Sequence, residues 1–191
     1  MLNNFKKELK KIVYQTSKFF DRFNLHPNYW TMISLIFAIL SGIFYSKYII
    51  VYNFNEIIAV LMLLISGLFD VVDGELARKN KLVTKFGEFL DSTSDRFAEI
   101  FIYFGILLGG YTSPELVYLV ITFSLMISYV RSKAETIKIK MIGIGIAERA
   151  ERLLLLAIGT ITGQIQTALI IILILSVITI VQRIWFIRKK S

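Results

Sequence analysis

The chain has 191 residues, is 55% hydrophobic and has a mean hydropathy of +0.65, values that exclude a soluble domain with an ordinary polar surface. It has no cysteine, which excludes disulfides and cysteine-ligated metals. Its single histidine, His26, precedes the first apolar run and argues against a histidine-based zinc site or a Ser-His-Asp triad. The formal net charge is +8, and in a membrane protein such an excess first indicates on which side the loops lie.

The amino-terminal residues 1–22 predict an amphipathic helix lying in the membrane interface. Apolar residues recur there at helical spacing, whereas the lysines between Lys6 and Lys11 fall mostly on the other side. A signal peptide is the alternative, but the segment has no continuous apolar core and no small-residue cleavage site. Pro27 then ends this helix, and Asn28 is predicted to cap the next one.

Six apolar windows follow, each approaching the ~20 residues that cross a bilayer as a helix. The predicted spans are residues 29–50, 57–77, 86–108, 114–130, 146–161 and 167–186. Ser113 before Pro114 is typical of a capped helix start. The expected fold is an all-α polytopic membrane protein, a single domain over 1–191. Its interfacial helix (1–22) precedes a bundle of six transmembrane helices (29–186).

Positive charge orients the predicted bundle. Nearly all Lys and Arg lie in the amino-terminal helix, in the loops after Ala77 and Val130, and in the tail, whereas Lys47 stands alone on the other side. Cytoplasmic loops carry such an excess. We therefore expect a multi-pass protein of the cell membrane with both termini on the cytoplasmic side.

Acidic residues beside the membrane are the main functional signal. Asp70 and Asp73 are three residues apart on one predicted helix, and Asp91 and Asp95 are four apart on the next, so each pair shares a face. The two pairs are expected to converge at the cytoplasmic end. Clustered carboxylates need a counterion, and oxygen ligands suit Mg²⁺ or Mn²⁺, and less specifically Ca²⁺. Four carboxylates can hold two metal ions, which could clamp a phosphate.

Spacing alone leaves two other interpretations open. The aspartates could be ordinary salt-bridged residues at helix ends. They could also belong to a cation or proton transporter, because such proteins use intramembrane carboxylates.

The stretch 70–95 resembles the CDP-alcohol phosphotransferase family, whose pattern is D-x2-D-G-x2-A-R-x8-G-x3-D-x3-D. All fixed positions and both gap lengths agree, at Asp70, Asp73, Gly74, Ala77, Arg78, Gly87, Asp91 and Asp95. The resemblance implies an enzyme that displaces CMP from a CDP-linked lipid with an alcohol, using two Mg²⁺ ions, or Mn²⁺ in their place, as cofactors. It also implies a homodimer, for which Gly105, Gly109 and Gly110 are available small residues.

Residue roles follow from the same resemblance. Asp70, Asp73 and Asp91 would bind metal, and Asp95 would be the general base while also lying near the second metal. The CDP group would contact Gly74, Arg78 and Thr84, with Asn28 and Thr31 closing the nucleotide pocket.

Basic residues near the aspartates indicate the acceptor. The candidates for binding a phosphate on the acceptor are Arg131, Lys133, Arg149 and Arg152, with Arg183 as a further one. Glu148 could instead pair with Arg152 along the helix. These segments are similar to the inositol-phosphate branch of the family, which implies inositol 1-phosphate as acceptor. Glycerol 3-phosphate is the alternative, because it also carries a phosphate.

No residue distinguishes ether from ester lipid chains. The composition is rich in Ile and Lys and lacks Cys, which favours an archaeal source. The expected lipid substrate is therefore CDP-archaeol, with CDP-diacylglycerol as the alternative.

Overall fold

The computed structural model describes residues 16–23, 25–48, 54–141 and 143–190. Most of the predicted interfacial helix (1–22) lies outside these ranges, although residues 16–21 are helical. The described ranges contain no strand and form six helices after this first segment. These are α1 (Pro27–Tyr45), α2 (Asn55–Lys79), α3 (Lys85–Leu108), α4 (Pro114–Thr136), α5 (Arg149–Ile161) and α6 (Ile165–Lys190).

Four of these helices, α1, α2, α4 and α6, are long and apolar enough to cross a membrane. The other two differ for separate reasons. Helix α3 has 24 residues but carries the acidic stretch, and α5 has only 13 residues, about 20 Å at 1.5 Å per residue. The predicted class, an all-helical membrane protein, is confirmed. The prediction of six spans requires that α3 and α5 also cross the membrane.

Helix starts follow capping chemistry, with one correction to the sequence analysis. The cap of α1 is His26 rather than Asn28, because the His26 side chain accepts a hydrogen bond from the Asn28 amide and Pro27 takes the first helical position. The predicted cap of α4 is confirmed, since the Ser113 hydroxyl accepts from the Leu116 amide.

Three predicted boundaries are wrong. Helix α1 ends at Tyr45 instead of continuing to residue 50, and the described residues 46–48 after it are not helical. Helix α4 continues to Thr136 instead of ending at residue 130, so the basic residues after Val130 lie on a helix. Helix α5 begins at Arg149 instead of residue 146, because the amides of Ile146 and Ala147 donate to the Thr179 hydroxyl of α6. The backbone amides before α5 therefore find hydrogen-bond acceptors on α6. A non-helical segment at membrane depth is tolerated only where its backbone groups are hydrogen-bonded within the protein in this way.

Helix α1 lies against both α2 and α3 and brings them together. Its contact with α3 is close because a Cβ on Gly42 would overlap the Phe101 carbonyl oxygen, and a Cβ on Gly105 would overlap the backbone of Gly42. Small residues allow this approach between membrane helices. Gly105 and Gly109 therefore pack inside the chain, Gly109 against the Tyr45 carbonyl, and are not available for a dimer interface.

The segment 16–23 lies against the ends of α1 and α2. The Phe20 ring is 4.9 Å from the Trp30 ring and 5.4 Å from the Phe69 ring, centroid to centroid. The Asp21 carboxylate accepts hydrogen bonds from Lys79 Nζ at 2.7 Å and from the Asn80 side-chain Nδ2 at 2.8 Å. These contacts hold the segment at the end of the bundle that carries the aspartates.

Candidate active site

Three of the four aspartates form one cluster. Asp70 comes from α2, and Asp91 and Asp95 come from α3. One carboxylate oxygen from each lies within 4.8 Å of the other two. The fourth, Asp73, is buried against α1, where its Oδ2 accepts a hydrogen bond of 2.6 Å from the Thr31 hydroxyl. The predicted pairs thus converge, but Asp73 has a different environment from the rest.

Arg149 supplies positive charge to the cluster. Its Nη1 donates a hydrogen bond to Asp95 Oδ1 and forms an ion pair with Asp70 Oδ1 at 2.8 Å, so one guanidinium joins α2, α3 and α5. Its buried Nε has no hydrogen-bond partner among the described residues. A buried donor without a partner is unfavourable, so this nitrogen is a natural contact point for an anionic ligand.

The donor set of the cluster fits a hard divalent cation. Carboxylate oxygens are the ligands that Mg²⁺ and Mn²⁺ prefer. Oxygens on opposite sides of an ion with ~2.1 Å bonds are about 4.2 Å apart. The observed limit of 4.8 Å is close to that span, so small side-chain movements would let Asp70, Asp91 and Asp95 share an ion.

The residues predicted to contact the nucleotide lie at the ends of α1, α2 and α3. Thr84 caps α3, accepting a hydrogen bond of 3.0 Å from the Gly87 amide. A Cβ on Gly87 would lie 3.1 Å from the Thr84 hydroxyl and 3.2 Å from the Asn28 side-chain oxygen, so these two polar groups meet across the glycine. The Arg78 guanidinium lies over Gly74. The Arg78 side chain is 67% exposed and pairs with the Glu75 carboxylate at 3.0 Å.

A cavity of about 1160 Å³ opens at the cluster, and the predicted nucleotide residues are not part of its lining. Asp70, Asp91 and Asp95 line it together with five arginines: Arg96, Arg131, Arg149, Arg152 and Arg183. Arg131 Nε pairs with Glu135 at 3.1 Å, and Arg183 Nη2 lies 3.7 Å from the Glu148 carboxylate. Lys133 is exposed on α4 and is not part of this lining.

Arg152, predicted to bind the acceptor phosphate, lines the cavity but its guanidinium is already paired with a carboxylate. It is 1% exposed and pairs with Glu99 through Nε at 3.0 Å and through Nη2 at 2.6 and 2.8 Å. Its pairing partner is therefore not Glu148. Sequence reasoning missed Glu99, although an acidic residue four positions after Asp95 in an apolar helix was a detectable signal.

Comparison with known proteins agrees with this geometry. Residues 24–188 match the profile of the CDP-alcohol phosphatidyltransferase family. The chain belongs to this family. The transferase is 34% identical over 190 residues to archaetidylinositol phosphate synthase of Pyrococcus horikoshii, covering 100% of this chain and 98% of the relative. It is 33% identical to the synthase of the same name from Methanothermobacter thermautotrophicus, covering 100% of this chain and 95% of the relative.

Solved structures show the same fold. The transferase superposes on phosphatidylinositol phosphate synthase of Mycobacterium tuberculosis with CDP-DAG bound at a TM-score of 0.76 and 23% identity, covering 91% of this chain and 92% of that one. A structure of the same mycobacterial protein with manganese and citrate gives a TM-score of 0.76 at 22% identity, covering 90% and 87%.

Family membership confirms the predicted enzyme class. The transferase is an enzyme of phospholipid biosynthesis that acts on a CDP-linked lipid and an alcohol. Cation transport, which the aspartates alone left open, is not favoured by this membership.

Proposed function

We propose that the enzyme transfers the archaetidyl group of CDP-archaeol to inositol 1-phosphate and releases CMP. The observation that carries this proposal is the cavity in which Arg131, Arg149 and Arg183 lie beside Asp95. A cluster of arginines suits a phosphate on the acceptor, because a guanidinium binds phosphate oxygens through two parallel N–H groups. The names of the two archaeal relatives support the choice of lipid and acceptor.

The proposed reaction is a displacement at phosphorus. Asp95 accepts the proton of the acceptor hydroxyl, and the hydroxyl oxygen forms a bond to the lipid-bearing phosphorus. The bond between that phosphorus and the CMP oxygen breaks, and CMP leaves with the electron pair. Asp70, Asp73, Asp91 and Asp95 would hold two Mg²⁺ ions, which Mn²⁺ could replace. When bound, they neutralise the diphosphate and the leaving group.

The nucleotide is assigned to the adjoining ends of α1, α2 and α3, whose predicted contact residues do not line the arginine cavity. Gly74 allows close approach of the diphosphate, and Arg78 is exposed and able to turn from its surface carboxylate partner to a phosphate. Asn28 and Thr84 would contact the nucleotide across Gly87, and Thr31 would close the pocket while orienting Asp73. These residues lie at adjoining ends of α1, α2 and α3, which supports a single pocket.

The acceptor phosphate is assigned to Arg149 Nε together with Arg131 and Arg183. The Arg131 and Glu135 side chains are 43% and 51% exposed, so Arg131 can leave its partner at low cost. Arg183 is buried and donates through Nε and Nη1 to the Ile144 and Ile127 carbonyls, so its Nη2 is the group offered to the phosphate. Lys133 would attract the anion from outside the cavity, and Arg152 belongs to the inner wall. Glycerol 3-phosphate is the second candidate acceptor, because the same arginines would hold its phosphate.

The proposed topology has six spans, with both termini and the active site on the cytoplasmic side. Helix α5 is short, yet its far end reaches the far end of α1, where the Tyr45 and Thr160 hydroxyls are 2.8 Å apart. The non-helical residues before α5 complete that crossing against α6. A homodimer is proposed from the family resemblance.

The test is an activity panel with purified enzyme. CDP-archaeol and CDP-diacylglycerol are each combined with inositol 1-phosphate, glycerol 3-phosphate or serine, with and without Mg²⁺, and CMP release is measured. Asp95→Asn is expected to lower kcat by about 100-fold or more, whereas Glu115→Gln, an exposed carboxylate at the start of α4, should leave it unchanged.

Separate outcomes contradict separate claims. Use of glycerol 3-phosphate without use of inositol 1-phosphate refutes the acceptor. Full activity of Asp95→Asn refutes the general base. Ion flux in liposomes without CMP release refutes the transferase reaction.

A further inference from the structure

The buried ion pair between Glu99 and Arg152 lies one helical turn behind the reacting groups. Glu99 is four residues after Asp95 on α3, and Arg152 is three residues after Arg149 on α5. Residues at these spacings share a helix face. The two helices therefore meet in two successive contacts: an outer one between Asp95 and Arg149 at the cavity, and an inner one between Glu99 and Arg152.

The inner contact is more deeply buried and makes more hydrogen bonds than the outer one. Side chains of Arg152 and Glu99 are 1% and 3% exposed, whereas those of Arg149 and Asp95 are 15% and 22% exposed. Three hydrogen bonds join the inner pair, and Arg152 Nη1 donates a fourth, of 2.7 Å, to the Ala147 carbonyl. The inner pair thus fixes both the start of α5 and its rotation toward α3.

Stability alone does not explain this pair. Burying two charges has a desolvation penalty that roughly cancels their attraction, and apolar residues of similar size are often as stabilising. A fixed fork-to-carboxylate geometry, by contrast, defines direction and distance between two helices. Arg149 depends on that direction, because its guanidinium must reach Asp70 and Asp95 from the first turn of α5.

We infer that Glu99, acting through Arg152, is a positioning residue that holds Arg149 beside Asp95 and toward the acceptor phosphate. Glu99 also neutralises Arg152, so that this second guanidinium does not compete with Arg149 for the Asp95 carboxylate one turn away. The inference rests on the proposed function for the identity of the acceptor, but the geometry applies to any phosphorylated alcohol.

The first test is Glu99→Gln, which keeps the shape and removes the charge. Displacement of Arg149 is expected to raise KM for the phosphorylated acceptor about tenfold or more, the scale of one hydrogen bond to a charged group. KM for the CDP-lipid should change less than about twofold, since the nucleotide residues lie on α1, α2 and α3. If Arg152 itself bound the acceptor phosphate, freeing it from Glu99 would lower KM, and an unchanged or lowered KM overturns the inference.

The second test covers the case in which Glu99→Gln does not fold. The double variant Glu99→Met/Arg152→Met replaces the pair by apolar side chains of similar length and is expected to keep the thermal unfolding temperature near that of the wild type. A folded double variant with raised acceptor KM and unchanged CDP-lipid KM supports positioning. A folded variant with normal acceptor KM, or one that does not fold, makes the pair structural and overturns the inference.

The proposed function fails independently of these results. It fails if the wild-type enzyme does not use inositol 1-phosphate, in which case the two variants are assayed with whichever phosphorylated alcohol the wild type accepts. Binding of that acceptor is also measured by calorimetry without CDP-lipid, so that the effect on affinity is seen apart from turnover.

Discussion

Replacing Thr31 by Val removes one hydroxyl from the contact between α1 and Asp73 and leaves the side-chain volume nearly unchanged. Thr31 and Asp73 are 5% and 4% exposed, and the Oγ1–Oδ2 distance is 2.6 Å. A bond this short to a carboxylate is typical of a charge-assisted hydrogen bond. This bond orients Asp73. Among the described residues, no other side chain is seen to hydrogen-bond to the Asp73 carboxylate.

The size of the effect follows from this bond. A hydrogen bond to a charged group contributes about 1.5–3 kcal/mol, and each ~1.4 kcal/mol is a factor of ten in an equilibrium constant. If Asp73 is a metal ligand, Thr31→Val should raise the Mn²⁺ concentration for half-maximal activity by roughly 10–150-fold. Losses of 10–100-fold are typical when a partner of a metal ligand is removed.

The assay is a Mn²⁺ titration of CMP release at saturating CDP-lipid. Thr31→Ser keeps the hydroxyl and should stay near the wild type. Thr122→Val is the matched control, because its exposed hydroxyl binds only the Tyr118 carbonyl of its own helix, at 2.8 Å. The opposite result is a Thr31→Val enzyme whose Mn²⁺ midpoint equals that of the wild type and whose KM for CDP-lipid is raised. That result would mean that the Thr31 hydroxyl contacts the nucleotide and does not orient a metal ligand, which refutes the reasoning.

Two other predictions concern the scaffold. Gly105→Ala should lower the thermal unfolding temperature by roughly 2–12 °C, because overpacking costs about 1–3 kcal/mol and each kcal/mol is worth about 2–4 °C in a chain of this size. Gly67→Ala is its control, since a Cβ there meets nothing within 4 Å, and equal losses in both would contradict the close α1–α3 contact. For Asp21, hydrogen bonds from Lys79 and Asn80 lower the pKa below its usual 3.8. A lowered folded-state pKa means that this contribution to stability is complete above 3.8 and is lost as the pH falls through the folded value. Acidification in that window should destabilise the wild type more than Asp21→Asn, as measured by thermal unfolding at successive pH values; identical acid dependence would show that the contact is not formed.

Much of the fold could be predicted because the signals are local. The acidic motif, the cap at Ser113 and the run from residue 86 to 108 depend on residues within a few turns of each other. The errors occurred where a distant element decides the structure. Residues 146–148 read as helix but are held non-helical by Thr179 of α6, more than thirty positions away.

By itself, the sequence determined the membrane class, the four aspartates on two helix faces and the family motif. Apolar length and 3.6-residue spacing are properties of single segments, so they are readable without a fold. Only the tertiary structure separated Asp73 from the other three and put Arg149 among them. It also paired Arg152, on the cavity wall, with Glu99, 53 positions away. Such pairings depend on how the helices pack together. Glycine contacts and buried hydrogen bonds between distant residues decide that packing, and no local pattern records it.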